Sequence, residues 1–471
     1  MQEPGLDGGI GRVHAEPRAL RGASFPLVSG GGVIDLVTQG EKVKALSITL
    51  FAGLVGCAFL QPVSAAETTT FKVVWSFSSG ADGSYPRASL TDVNGALYGT
   101  TAEGGGAGCG GSGCGTVFSF DPNTGTEKVL YSFCSRANCK DGAIPEANLI
   151  DVNNTLYGTT ESGGRSTSCG NSYGCGTVFA LDSNTGAEKV LYSFCTYPIC
   201  TDGWGPNASL TAAKGMLYGT TFWGGTAGSG TAFSFDPRRR AEYVLHSFCT
   251  RANCADGEAP YAGLTAMNGT LYGTTTGGGN SGCRHFTTSC GMLFSLDPST
   301  GAETVLYAFC SQQNCSDGGN PAANLIAVNG KLYGTTYDGG MTGCVYDGCG
   351  TVFSFDPNTG VEKVLYAFCQ QQDCADGANP LASVIDVKGI LYGTTAYGGR
   401  TGCPQTGDCG TVFSVDPNTG TETVLYAFCS RKNCTDGWAP TAGVITVRGK
   451  LYGTTSEGGA YGFGTVFAIA K

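Results

Sequence analysis

Five residues, Leu97-Tyr98-Gly99-Thr100-Thr101, return at Leu156, Leu217, Leu271, Leu332, Leu391 and Leu451, 54 to 61 residues apart. A fixed period of this size means stacked supersecondary units, none of which can bury its apolar face alone. The period also sets aside the reading of 471 residues as several unrelated domains.

The first unit reads as four strands. Pro86 to Val93 is a short alternating run, and Asn94-Gly95 follows, a pair in which both residues tolerate positive φ. Ala96 to Thr101 is a second strand, Gly115 to Phe120 a third, and Glu127 to Phe133 a fourth. Between the last two, Asp121-Pro122-Asn123-Thr124-Gly125 has the composition of a tight turn. Four strands in about 60 residues, with no helical periodicity, match a propeller blade. Apolar residues on both faces of the strands, as in Val129-Leu130-Tyr131, fit a sheet sandwiched between two others.

The ends of the repeat array argue for a closed ring. Phe71 to Phe77 reads as a fourth strand without its preceding three, and Pro440 to Ile469 supplies three strands and no fourth. Pairing the two removes both exposed sheet edges. The expected fold is therefore all-β: a seven-bladed β-propeller of four-stranded blades over 66–471, closed by the N-terminal strand.

Cysteine provides an internal check. Six pairs follow the fourth strand: Cys134/Cys139, Cys195/Cys200, Cys249/Cys254, Cys310/Cys315, Cys369/Cys374 and Cys429/Cys434. Five lie between strands two and three: Cys109/Cys114, Cys169/Cys175, Cys283/Cys290, Cys344/Cys349 and Cys403/Cys409. A loop that lacks one cysteine lacks both, so the partners are local, and eleven disulfides are expected. A four-sulfur zinc site per blade would need matched numbers of the two kinds, so no metal is expected. In an up-and-down blade all these staples, and most sequence variation, fall on one face of the disc, which suits a binding surface.

The twenty-third cysteine, Cys57, lies in a different kind of segment. Lys42-Val43-Lys44, the apolar run Ala45 to Leu60 and the small residues before Ala66 form a secretory signal over 42–65. Residues 1–41 precede it as an unstructured leader or an upstream misassigned start. Leu54-Val55-Gly56-Cys57 also resembles a lipobox, the alternative being a lipid anchor on Cys57. Beyond the signal no run approaches the ~20 apolar residues of a membrane helix. The expected location is secreted, periplasmic or cell-surface.

Charged residues are only 14% of the chain and the net charge is −10, so a nucleic-acid partner is not expected. Asp82, Asp141, Asp202, Asp256, Asp317, Asp376 and Asp436 recur in Asp-Gly-x-x-Pro. They form either a carboxylate ring holding a cation at the channel mouth or seven turns in which Asp accepts backbone N–H groups. Recurrence in every blade favours the turn, since catalysis needs one special blade. His246 takes the place of a fourth-strand tyrosine, and His285 lies in the unusual loop Arg284-His285-Phe286. No Ser-His-Asp triad or phosphate loop is present, so no catalytic residue is assigned. Blade three departs most, with Phe222-Trp223 where a stapled loop is expected and Arg238-Arg239-Arg240 in its turn. The candidate ligand contacts are Phe222, Trp223, Arg284, His285 and Phe286.

The recurring Asp-Gly-x-x-Pro-x-Ala-x-Leu, Leu-Tyr-Gly-Thr-Thr-x-x-Gly-Gly and Gly-Thr-Val-Phe-Ser-Phe-Asp resemble the GloVer tandem repeat of bacterial exported proteins, over residues 71–471. The resemblance implies a secreted or surface-displayed repeat protein and carries no enzymatic role. The Asp-Pro-Asn-Thr-Gly hairpin is also similar to repeats of quinone-dependent dehydrogenase propellers. Those favour Trp where this chain has Tyr131, Tyr192, Tyr307, Tyr366 and Tyr426, so no cofactor is expected. The expected function is binding of a protein or polysaccharide at the stapled face. The alternative is a hydrolase or lyase with carboxylates at the channel mouth.

Overall fold

The computed structural model describes residues 69–106, 108–170, 173–280, 289–340, 348–399 and 409–470. The expected signal at 42–65, the lipid-anchor alternative at Cys57, and Cys283, Arg284, His285, Phe286, Cys344 and Cys403 lie outside them. No helix among the described residues is long and apolar enough to cross a membrane.

The described strands form seven four-stranded antiparallel sheets, the blades of a β-propeller. Blade one contains Thr91–Val93, Ala96–Thr101, Thr116–Asp121 and Thr126–Ser132 from the axis outward. Blade seven is completed by the far end of the chain: Thr70–Ser76 pairs antiparallel with Thr465–Ala470, from Thr70 opposite Ala470 to Ser76 opposite Thr465. The ring closes as the repeat pattern predicts.

The innermost strand is shorter than expected, three residues rather than eight. The stretch Pro86 to Leu90 leaves the ladder because its polar groups bond to the next blade. Ser89 N–H donates to Asn148 Oδ1 (2.7 Å), Asn148 N–H to Ser209 Oγ (3.1 Å), and Gly443 N–H to Ser89 Oγ (2.9 Å). The outer strand differs too. The pairing shifts by one residue between Val117 and Phe118, leaving Leu130 as a bulge. The same shift recurs in the other blades, so the mixed apolar pattern of the fourth strand records a bulge as well as burial between blades.

The five-letter motif serves the packing of the blades. Its leucines are buried in the inter-blade cores. Its glycine leaves room for a third-strand phenylalanine: a Cβ at Gly99 would lie 2.6 Å from Phe118 Cζ, and the other six glycines meet theirs at 2.6–2.7 Å. The first threonine donates to a carbonyl of the next blade, from Thr100 to Ala147 through to Thr454 to Ala88, where the last blade meets the first. The second pins the third strand, as Thr336 Oγ1 accepts from Thr351 N–H at 3.1 Å.

Eight disulfides join described cysteines, each linking partners five or six positions apart: Cys109–Cys114, Cys134–Cys139, Cys169–Cys175, Cys195–Cys200, Cys249–Cys254, Cys310–Cys315, Cys369–Cys374 and Cys429–Cys434. Cys290, Cys349 and Cys409 are disulfide-bonded as well. These eight pairings are the expected ones, and the sulfurs lie deeper than their place in loops implies. Cys114, Cys139, Cys175, Cys200, Cys290, Cys349, Cys409 and Cys434, each the second member of its pair, are buried, and so is Cys195, a first member. Cys175 packs with Cys195 and Cys200 against Trp204, while Cys409 and Cys434 join a core with Phe428 and Trp438. The physical reason is that a bonded sulfur is apolar and polarizable, so it gains more against rings than against water. These nine sulfurs therefore belong to the core under the loops. The two staples of a blade pack together: the sulfurs of Cys109, Cys114 and Cys139 lie within 4.8 Å of one another.

Candidate functional site

The recurring aspartates are held inside their own connectors. Asp141 accepts from the Tyr131 hydroxyl (2.8 Å), from Ser135 N–H (2.9 Å) and Oγ (2.8 Å), and from Arg136 N–H (3.1 Å). Asp317 and Asp436 repeat this set with Tyr307 and Tyr426. Asp202 and Asp376 accept from Tyr192 and Tyr366 and from loop N–H groups. Asp256 bonds to Thr250 and Arg251, with His246 Nε2 at 3.5 Å, and Asp82 bonds to Ser78. All but Asp82 are buried, and none lines the axial cavity. Burial pushes the His246 imidazole below its usual range, Asp256 opposing the effect.

Each connector also delivers one residue to the axis. Past its proline the chain runs along the central channel, and the next residue differs in every blade: Arg87, Glu146, Asn207, Tyr261, Ala322, Leu381 and Thr441. Together they line a cavity of about 410 Å³ on the axis, with Tyr397, Trp438 and Glu457 extending its wall on blades six and seven. Sequence reasoning passed over this ring by treating the position as an unspecified letter. The signal was present: a variable residue between an invariant proline and a small one.

Charge is concentrated on one side of the cavity. Arg87 Nη1 lies 2.5 Å from Glu146 Oε1. Burial, then the Glu146 charge, pushes the Glu161 carboxyl up to about 7, with Arg87 opposing. Burial likewise raises Glu457, again against Arg87, and raises the Tyr261 hydroxyl, which also faces Glu146.

The predicted contacts Phe222 and Trp223 belong to the same face. Trp223 is 44% exposed and stacks on Trp204 with centroids 5.7 Å apart and planes at 21°. Phe222 meets Trp223 edge-on at 4.7 Å and Tyr261, on the cavity wall, at 5.8 Å. A continuous aromatic series therefore leads from blade three to the axis. A second groove, between the outer strands of blades two and three, is lined by Arg165, Arg240, Tyr197 and Ile199 and lies away from this convergence.

Fold and site define a ring-closed, seven-bladed β-propeller with one asymmetric axial cavity and an aromatic approach to it. The chain belongs to the Gloeobacter/Verrucomicrobia repeat family, which it matches over residues 60–169 and 165–406. No curated protein matches its sequence. Among solved structures it is similar to the extracellular domain of BT4673 from B. thetaiotaomicron, with a TM-score of 0.50 and 12% identity over 84% of this chain. The chain spans 39% of that protein's length. It is also similar to an oligogalacturonate lyase from Vibrio parahaemolyticus, with a TM-score of 0.44, 10% identity, and coverage of 86% of this chain and 97% of the lyase. At these identities the likeness concerns the fold alone.

Proposed function

We propose that this protein is an exported polysaccharide-binding module whose ligand meets the stapled face of the disc. The observation that carries this reading is the exposed Trp223, backed by Trp204 and joined through Phe222 to the axial cavity. Flat aromatic faces bury the apolar side of a sugar ring at little entropic cost. The cavity's hydroxyl, amide and carboxylate groups supply the few polar contacts that fix orientation. The disulfide framework supports export. Glycan-array binding and cell-wall pull-down with the purified disc test the reading, with Trp223→Ala as the control. Retention of a polysaccharide that Trp223→Ala loses is the expected result, and no retained glycan refutes it.

One observation favours a second reading, a hydrolase or lyase. Glu161 holds its proton to about pH 7 beside the ion-paired Glu146, a division suited to acid and base roles. Release of soluble fragments from the retained polysaccharide, abolished by Glu161→Gln, would select it.

A further inference from the structure

The stapled loops between strands two and three stand on five blades. Blades three and seven lack them, with short links at 222–230 and 456–464. All four of the chain's tryptophans lie in these two blades or the connectors that lead into them: Trp75 on the outermost strand of blade seven, and Trp204, Trp223 and Trp438 toward the cavity. In a ring of seven, blades three and seven are nearly opposite. The two short links, the tryptophans Trp204, Trp223 and Trp438, and the cavity thus fall along one line.

The polar groups on that line agree. Asn207 Oδ1 in blade three and Thr441 Oγ1 in blade seven are buried without a hydrogen-bond partner, and both residues line the cavity. An unpaired buried polar atom is costly unless something fills it. Beyond Thr441, Glu457 on the short link of blade seven continues the wall. At about 410 Å³ the cavity is near the lower end of the ~300–1,000 Å³ range of ligand pockets, so it takes only part of a long ligand.

We infer that the ligand is a linear polysaccharide bound along its length, lying over Trp223, crossing the axial cavity between Asn207 and Thr441, and leaving over the short link of blade seven past Glu457. This rests on the polysaccharide reading above. It adds the chain's path and makes the staple-free blades its entry and exit.

Calorimetric titration of cello-, xylo- and chito-oligosaccharides, graded from the disaccharide upward, tests it against wild type, Trp223→Ala and Thr441→Val. Each fold is checked by its thermal midpoint. In the series that binds, affinity should climb at least ~10-fold from the disaccharide to the longest member, about 1.4 kcal/mol. The loss caused by Trp223→Ala should grow with chain length, and Thr441→Val should weaken every member. A disaccharide that binds as tightly as the longest member overturns the crossing, as does a Trp223→Ala loss that is the same at all lengths. If neither these series nor any polysaccharide binds, the binding reading itself falls.

Discussion

Each junction between blades one to six, and that between Asp82 and blade one, buries a glutamate on the outer strand: Glu127, Glu188, Glu242, Glu303, Glu362 and Glu422. In all six, at least one carboxylate oxygen is buried without a hydrogen-bond partner. Arg136 reaches Glu188 at 2.8 Å and Arg251 reaches Glu303 at 3.0 Å. Tyr197 holds the repeat position of those arginines next to Glu242. Burial and then Asp202 push the Glu242 carboxyl up to about 8, with Tyr192 opposing. An acid whose folded-state value is raised holds its proton more tightly when folded. Its contribution is most favourable below 4.5, declines as pH climbs toward 8, and is constant above. Moving from 4.5 to about 8 sets a ceiling of about 5 kcal/mol at ~1.36 kcal/mol per tenfold change in proton affinity. Relaxation of the protein and water around a buried carboxyl offsets much of that ceiling, so ~1–2 kcal/mol is expected. Glu242→Gln keeps the shape of the protonated acid and cannot ionise. Urea unfolding should therefore find it equal to wild type near pH 4.5 and more stable by ~1–2 kcal/mol at about pH 8.5. His246, lowered by burial, loses stability as pH falls through its ordinary range, but equally in both proteins. The lowered turn aspartates, such as Asp121 and Asp416, act below the window. Parallel stability curves for the two proteins would refute this reasoning.

Three further outcomes test the frame. Gly334→Ala drives a Cβ into Phe353 and should cost about 1–3 kcal/mol in urea unfolding, with the β-sheet circular dichroism retained. Deleting Thr70–Ser76 exposes Thr465–Ala470 as an unpaired edge, so the truncated chain should aggregate or unfold non-cooperatively in gel filtration and calorimetry. Reduction should lower the thermal midpoint without dissolving the propeller at room temperature, because loops this short contribute about 2 kcal/mol apiece.

Fold and ring closure were legible because they rest on repetition. Seven copies of Leu-Tyr-Gly-Thr-Thr average out local ambiguity, and a strand at one end matches a strand missing at the other. The outer-strand bulge at Leu130 was not legible, since a one-residue slip leaves the run Val129-Leu130-Tyr131 unchanged as letters. Cysteine spacing revealed who pairs with whom, but not that Cys175, Cys200, Cys409 and Cys434 sink into the core, because depth is set by the rings around them. The glutamates escaped for a related reason. Glu127 reads as a polar residue after a turn, and only the neighbouring blade buries it. Phe71 holds the equivalent place in blade seven, where it stacks on Tyr426 at 3.6 Å, so the closing junction replaces a carboxyl with a ring.

The candidate site follows the opposite logic. A residue repeated seven times is committed to the frame, as the bonded aspartates are, because the same contact must form in every blade. Recognition of one particular ligand requires seven-fold symmetry to be broken. Here it is broken at the position after each connector proline, at the five-to-two distribution of the staples, and at three tryptophans. These departures meet on one face and one axis. Random decay of repeats would scatter them around the disc, whereas selection for a chain-shaped ligand would align them. Their alignment through Asn207 and Thr441 is why the staple-free blades, rather than the stapled ones, are the place to look for bound glycan.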